Sequence, residues 1–170
     1  MIAKRLIVFV LTLVVAATLQ GSASAAVAIH HARPDFLLIA ITCLGLLTSP
    51  AQGITAGLCG GVAMGALAGV NYGTFMVSRI AAGWAAGQIG RTMNRESLVT
   101  PFVTMLVTTI GAQVIAFVMA PYNPGYWAIT SLGELAYNLV LVVPIYAALQ
   151  RLIRPKRPRD PYVRRIRRRR

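Results

Sequence analysis

The stretch LVTPFVTMLVTTIGAQVIAFVMA, residues 98–120, contains no charged side chain. About 20 helical residues cross a hydrocarbon core of about 30 Å, so this stretch is long and apolar enough to span a bilayer. It ends at Pro121-Tyr122-Asn123-Pro124-Gly125, a cluster of residues typical of a turn. A second apolar run, residues 126–149, follows at once. The two runs predict a membrane hairpin, and this prediction sets the class of the whole chain.

Charged residues are scarce everywhere except at the carboxyl end. They make up 12% of the chain, whereas 56% is hydrophobic, and a soluble domain carries about a quarter charged residues. Of the 17 Lys and Arg residues, eleven lie within residues 151–170, so the net charge of +13 belongs mostly to this tail. We therefore predict a transmembrane domain over residues 1–150 and a basic, disordered cytoplasmic tail over residues 151–170.

Six apolar segments can be drawn between the breaks in residues 1–150. They run over residues 6–26, 36–48, 53–70, 72–90, 98–120 and 126–149. This order predicts an all-α integral membrane protein, a bundle of about six transmembrane helices. The first segment follows Lys4 and Arg5 and precedes small residues, which is also typical of a signal peptide. Its length favours an uncleaved anchor.

The basic residues are placed asymmetrically along these segments. Lys4 and Arg5, then Arg91 and Arg95, then the tail all fall on one side of six crossings. The positive-inside rule makes that side cytoplasmic. We therefore expect a multi-pass membrane protein with both termini in the cytoplasm.

Glycine recurs at every fourth position of the third segment and again on the fourth. In lipid, close approach of helices over small residues is a main source of association. The pattern predicts a ridge that packs inside the bundle, or alternatively a surface that receives the membrane anchor of a partner. The members of this glycine ridge are Gly57, Gly61, Gly65, Gly69, Gly73, Gly83 and Gly87.

Arg79 and Glu134 are the charged residues placed well inside predicted spans. Counted from the outer ends of their segments, both lie about 10–12 Å below the outer surface. A charge at this depth costs at least a few kcal/mol, so it usually finds a partner. Equal depth predicts an ion pair between them, which Asn138 extends by one turn. A structural staple, a transport site and a partner-sensing switch are all compatible with this pair.

No catalytic constellation is apparent in the sequence. A Ser or Cys with convergent His and acid, paired carboxylates and a phosphate-binding loop are all missing from it. His30 and His31 are adjacent and offer too few ligands for a metal ion. We expect a protein that acts by binding, is not an enzyme, and uses neither a cofactor nor a metal.

The basic tail lies beside a membrane in this topology. The tail either serves only to set the topology or also binds lipid. Its first attraction is to anionic lipid headgroups, at about 1 kcal/mol for each basic residue near the surface. Nothing in it specifies a nucleic acid sequence. The lipid-binding residues are expected to include Arg164, Arg165, Arg167 and Arg168.

The order of several short motifs resembles the bacterial rod shape-determining MreD family. These motifs are Arg33-Pro34-Asp35, Ser49-Pro50, the glycines between Gly57 and Arg79, Asn138 and Pro144. In that family an Arg-Pro-Asp motif opens the second helix, and an Asn followed by a Pro lies in the sixth. Gly69 is a departure, because many members carry an acid at the place where we align it.

The resemblance implies a non-enzymatic subunit of the cell-elongation (rod) complex in the bacterial cytoplasmic (inner) membrane. Such a subunit would help to control peptidoglycan synthesis and cell shape. The implied partners are MreC and, through it, MreB, RodA and a penicillin-binding transpeptidase. MreD proteins also resemble, in six-helix layout, the substrate-binding S components of energy-coupling-factor vitamin transporters. The alternative expectation is therefore a transporter subunit with an outward-facing pocket around Arg79 and Glu134.

Overall fold

All six predicted segments form helices. The computed structural model describes residues 2–22, 26–28, 32–95, 97–121 and 123–153. The helices are α1 (Ile2–Ser22), α2 (Phe36–Leu47), α3 (Pro50–Ala68), α4 (Tyr72–Thr92), α5 (Val99–Met119) and α6 (Pro124–Ile153). The prediction of an all-α membrane bundle is confirmed. His30, His31 and the four tail arginines named above lie outside the described residues.

The breaks between α2, α3 and α4 follow local backbone preferences. Ser49 accepts a hydrogen bond from the Gln52 N–H (3.3 Å) and Pro50 begins α3, an arrangement that favours a helix start. Gly69, at φ 71°, ends α3, and Asn71, at φ 54°, precedes α4. Both are residues that adopt left-handed backbone readily. The third and fourth segments are therefore separate helices, as predicted.

Helix α2 lies at the centre of the bundle. It has 12 residues, and every one from Leu37 to Leu47 is buried. A helix that is apolar on all sides belongs in a core. α4 packs against α3, α2 and α5, and α6 packs against α5 and α2. α1 lies at the periphery, with most of its described side chains exposed.

The outer surface of the bundle is apolar. Val118 and Val140 are 73% and 74% exposed, and many other aliphatic side chains face outward, which is unusual for a protein whose solvent is water. Four helices, α1, α3, α5 and α6, are long and apolar enough to cross a membrane. α4 carries Arg79 and Arg91, and α2 is about 18 Å long at the usual helical rise. The chain is a multi-pass membrane protein.

The last helix extends beyond its predicted end. α6 continues to Ile153, beyond the predicted domain end at residue 150. Nothing in its last turn breaks a helix, and Arg151 there is favourable beside the C-terminal carbonyls.

Candidate functional site

The chain enters α2 through a non-helical segment, residues 33–35, in which Pro34 and Asp35 are buried. Its backbone groups bond to side chains of α1 and α6. Gln20 accepts a hydrogen bond from the Phe36 N–H (2.7 Å), and its amide group donates to the Pro34 carbonyl (3.4 Å). The Asp35 N–H donates to Asn138 Oδ1 (3.1 Å). Non-helical backbone at membrane depth is tolerated where its polar groups are bonded and it lines a cavity.

Asp35 holds the start of α2 and the middle of α4 together. Its Oδ1 accepts a hydrogen bond from the Leu38 N–H (2.8 Å), which caps α2. Its Oδ2 forms an ion pair with Arg79 Nη2. The side chains of Arg79 and Asp35 are only 7% and 5% exposed. Buried charges are costly unless they are paired and hydrogen-bonded, so each of these residues depends on the other.

The structure corrects the predicted pairing of Arg79 with Glu134, because the ion-pair partner of Arg79 is Asp35. Asp35 lies outside the predicted segments 6–26 and 36–48, but the non-helical segment before α2 holds it at the level of Arg79. That level is about 10 Å below Tyr72, at 1.5 Å per helical residue. Glu134 instead accepts a hydrogen bond from Gln113 Nε2 on α5 (2.6 Å).

Asn138 is fully buried one turn below Glu134. Its Oδ1 accepts from the Asp35 N–H, and its Nδ2 donates to Thr109 Oγ1 (3.3 Å). Asn138 therefore joins α6 both to the segment that precedes α2 and to α5. The predicted polar patch is present, but it is organised around Asp35.

A cavity of about 570 Å³ opens among these residues, near the starts of α2, α4 and α6. We call it the outer cavity, because the positive-inside rule predicts that these helix ends face outward. Asp35, Arg79 and Glu134 line it, together with Gln20 and Gln113. Its walls come from five helices, α1, α3, α4, α5 and α6, and from the segment before α2. Small-molecule sites commonly measure about 300–1,000 Å³ and combine apolar walls with a few polar groups. The cavity therefore has the size and chemistry of a ligand site.

Two polar atoms of the lining residues lack hydrogen-bond partners. Arg79 Nε and Glu134 Oε1 are buried and have no partner among the described residues. Buried donors and acceptors are nearly always bonded. The remaining contacts of the Arg79 guanidinium are with Asp35, with Ser78 Oγ (3.3 Å) and with the Phe75 ring, whose centroid is 5.4 Å away. One donor and one acceptor thus remain unbonded within the described residues.

The glycine ridge lies mainly inside the bundle. A Cβ atom on Gly61 would lie 2.6 Å from Met76 Cα, and one on Gly57 would meet the Arg79 carbonyl. α3 and α4 therefore approach backbone to backbone, which holds Arg79 in position. The ridge glycines that face a neighbouring helix or turn in this way are Gly57, Gly61, Gly65, Gly83 and Gly87.

Gly69 and Gly73 are not part of this packing. A Cβ on either would meet nothing within 4 Å. α3 ends at Ala68, so Gly69 caps it and Gly73 lies in the first turn of α4. Spacing by fours places residues on one face only within a continuous helix, and the break at Asn71 ends that face.

Sequence reasoning missed the two glutamines and the depth of Asp35. Gln20 and Gln113 bond Phe36 and Glu134, respectively. The available signal was an uncharged amide within a predicted span, since polar groups in a membrane helix usually face the bundle. Of the other motif residues, Arg33 is exposed and lines the cavity, Pro34 is buried, and Pro144 lies within α6.

A second polar cluster ties the opposite end of the bundle together. The Arg95 guanidinium donates to the carbonyls of Leu47 (3.1 Å) and Thr48 (3.3 Å). The Arg95 carbonyl accepts from Tyr146 Oη (2.8 Å) and Gln150 Nε2 (2.9 Å) on α6. We call these residues the Arg95 cluster. α6 therefore lines the cavity in its first half and contacts the Arg95 cluster near its end.

Residues 3–154 match the protein-family model described as 5TMR of 5TMR-LYT. The chain belongs to the 5TMR-LYT family. This is the five-transmembrane receptor unit of LytS-type sensors. No curated protein and no solved structure matches the chain.

Membership of the 5TMR-LYT family overturns the resemblance to MreD. The expected role in the rod complex and the alternative of a transporter S component are likewise wrong, because the family is that of a membrane sensory domain. The expected partners of the rod complex followed from that resemblance and are not carried forward. The motifs misled because they serve packing: Asp35 caps a helix, Gly57 and Gly61 admit a neighbouring backbone, and Pro50 starts a helix. Such capping and close-packing motifs occur in many bundles of membrane helices joined by short loops.

Proposed function

We propose that this chain is the ligand-binding sensory unit of a bacterial membrane sensor and that the outer cavity is its binding site. The observation that carries the proposal is the cavity itself, in which Arg79 Nε and Glu134 Oε1 are buried without partners beside the Arg79–Asp35 pair. Buried charges that line a pocket within a membrane domain are typical of functional sites. The family supports a receptor role.

Binding, rather than catalysis, suits these groups. Both oxygens of Asp35 are occupied, one by the Leu38 N–H and the other by Arg79. Glu134 is held by Gln113 on one oxygen. A carboxylate fixed in this way orients a ligand but lacks a second free acid or base beside it. We therefore propose a non-enzymatic receptor.

The signal would travel along α6. A ligand that bonds Glu134 acts directly on this helix, whose other end holds the Arg95 cluster through Tyr146 and Gln150. Pro144 lies between the two ends and removes one helical hydrogen bond, which makes this point easier to bend. A ligand that binds one arrangement of α6 more tightly than another shifts the population toward it.

The orientation of the bundle would direct this signal into the cell. We propose that both termini are cytoplasmic and that the protein lies in the bacterial inner membrane. The basic residues at Lys4, Arg5, Arg91 and Arg95 and in the tail support this orientation. In a LytS-type sensor the change at the end of α6 would alter the activity of a cytoplasmic histidine kinase.

Thermal unfolding of the purified protein in mild detergent, with a library of small polar compounds, tests the binding site. We expect at least one compound to raise the unfolding midpoint, because a ligand at a hundredfold excess over its Kd stabilises by about 2.7 kcal/mol. The same compound should have little effect on Glu134→Gln, which retains the shape of the side chain and loses its charge. Cys59→Ala, on the exposed face of α3, is the matched control. The proposal fails if no compound distinguishes Glu134→Gln from this control.

A further inference from the structure

We propose that the outer cavity binds a zwitterion of the α-amino-acid class, with its ammonium group at Glu134 and its carboxylate at Arg79. This inference rests on the proposed function, since it names the chemistry of the ligand at that same site. Three features carry it: the charges that line the cavity, the two atoms without partners, and the apolar part of the wall.

The lining charges balance. Two cationic residues, Arg33 and Arg79, and two carboxylates, Asp35 and Glu134, line the cavity. A ligand with a net charge would leave one uncompensated charge in a partly dry, low-dielectric site, which is unfavourable. A ligand that carries one positive and one negative group adds no net charge. The lining therefore favours a zwitterion over a simple anion or cation.

The unpartnered atoms are complementary to the two ends of such a ligand. Asp35 is fully engaged by Leu38 and Arg79, so the acceptor that remains is Glu134 Oε1 and the donor is Arg79 Nε. An ammonium group has donors only and a carboxylate has acceptors only. The ammonium group fits Oε1, the carboxylate fits the Nε–H, and the charge-assisted bonds so formed are stronger than neutral ones.

The rest of the wall favours an apolar side chain on the ligand. Met64, Leu67 and Phe75 contribute to the lining. A volume of about 570 Å³ exceeds what an ammonium and a carboxylate on one carbon require. Apolar surface in the ligand would bury against these residues at about 25 cal/mol per Å². Among amino acids, leucine has suitable groups at all three places.

Three probes with one carbon skeleton separate the contributions. L-Leucine carries both charged groups, 4-methylpentanoate lacks the amine, and 3-methylbutylamine lacks the carboxylate. Binding to the full chain in detergent is measured by isothermal titration calorimetry at neutral pH. We expect L-leucine to bind about ten- to a hundredfold more tightly than either analogue, because each analogue leaves one charged group of the site unpaired.

Two variants assign the groups. In Glu134→Gln the advantage of L-leucine over 4-methylpentanoate should fall to within about threefold, since the carboxylate partner of the ammonium group is gone. The hydrogen bond from Gln113 can persist in Glu134→Gln. The unfolding midpoint of this variant, measured without ligand, shows whether its fold is intact. Cys59→Ala should bind all three probes like the unmodified protein.

The results of these titrations separate failure of the zwitterionic ligand from failure of the receptor function. Equal affinity for 4-methylpentanoate and L-leucine would overturn the zwitterion in favour of an anion, and equal affinity for 3-methylbutylamine would overturn it in favour of a cation. The inference also fails if neither L-leucine nor any other common L-amino acid binds while a different compound stabilises the protein through Glu134. The receptor function survives these results. It fails with the inference only if nothing binds in a Glu134-dependent manner.

Discussion

Breaking the Arg79–Asp35 ion pair from one side should destabilise the bundle more than removing both charges. Asp35→Asn retains an oxygen that can accept from the Leu38 N–H, so the cap of α2 survives while Arg79 loses its counter-charge. Arg79→Met has the converse effect, because it leaves the buried Asp35 carboxylate without the guanidinium. Both side chains are more than nine-tenths buried, so water compensates only a small part of the lost charge interaction.

The expected magnitudes follow from this burial. Removing one member of a buried pair costs about 3–5 kcal/mol, whereas replacing both members by neutral groups is often close to neutral. If the two substitutions acted independently, the double variant Asp35→Asn with Arg79→Met would lose about 6–10 kcal/mol of unfolding free energy. We expect a loss of less than about 4 kcal/mol, because neither charge is then left alone. Asp35→Ala should cost about 1 kcal/mol more than Asp35→Asn, because it also removes the cap.

Equilibrium unfolding in mixed detergent micelles, followed by tryptophan fluorescence, measures these free energies. A second cycle, Arg79→Met with Glu134→Gln, is the matched control and should show a smaller coupling, because Glu134 is bonded to Gln113 rather than paired with Arg79. Additive losses for Asp35 and Arg79, within about 0.5 kcal/mol, would refute the pairing. A larger coupling in the control cycle would restore Glu134 as the partner of Arg79.

Three further predictions concern the packing, the tail and the topology. Gly61→Leu should lower the free energy of unfolding by at least about 1–3 kcal/mol through overpacking, since its Cβ would lie 2.6 Å from Met76 Cα. Gly73→Leu lies in open space and should change the free energy of unfolding little in the same assay. Equal losses in the two variants would contradict the packing. Truncation after Ile153 should leave the unfolding midpoint unchanged and abolish salt-sensitive binding to vesicles that contain anionic lipid. Aggregation of the truncated protein would show instead that the tail stabilises the fold. A cysteine introduced at Pro121, in a background without other thiols, should react with a membrane-impermeant reagent added outside the cell; protection there with labelling from the cytoplasm would reverse the orientation.

Most of the helical framework was predictable because its determinants are local. The helix start at Ser49-Pro50 and the breaks at Gly69 and Asn71 follow from backbone preferences of single residues. The site was only partly predictable. Arg79, Glu134 and Asn138 were recognised as polar residues at membrane depth, and all three lie at or beside the cavity. Gln20 and Gln113 were missed because uncharged amides give a weaker signal than charges.

The sequence by itself determined that this is a membrane protein, that six helices form within residues 2–153, and that Arg79 and Glu134 lie inside them. These properties depend on hydrophobicity and backbone preference, which act over a few residues. Only the tertiary structure decided which groups meet. Asp35 reaches Arg79 across 44 positions and Asn138 across 103, because the non-helical residues just before α2 lie buried in the bundle. Depth counted along a helix cannot reveal this path, since a loop has no fixed rise, and charge pairing depends on distance in space.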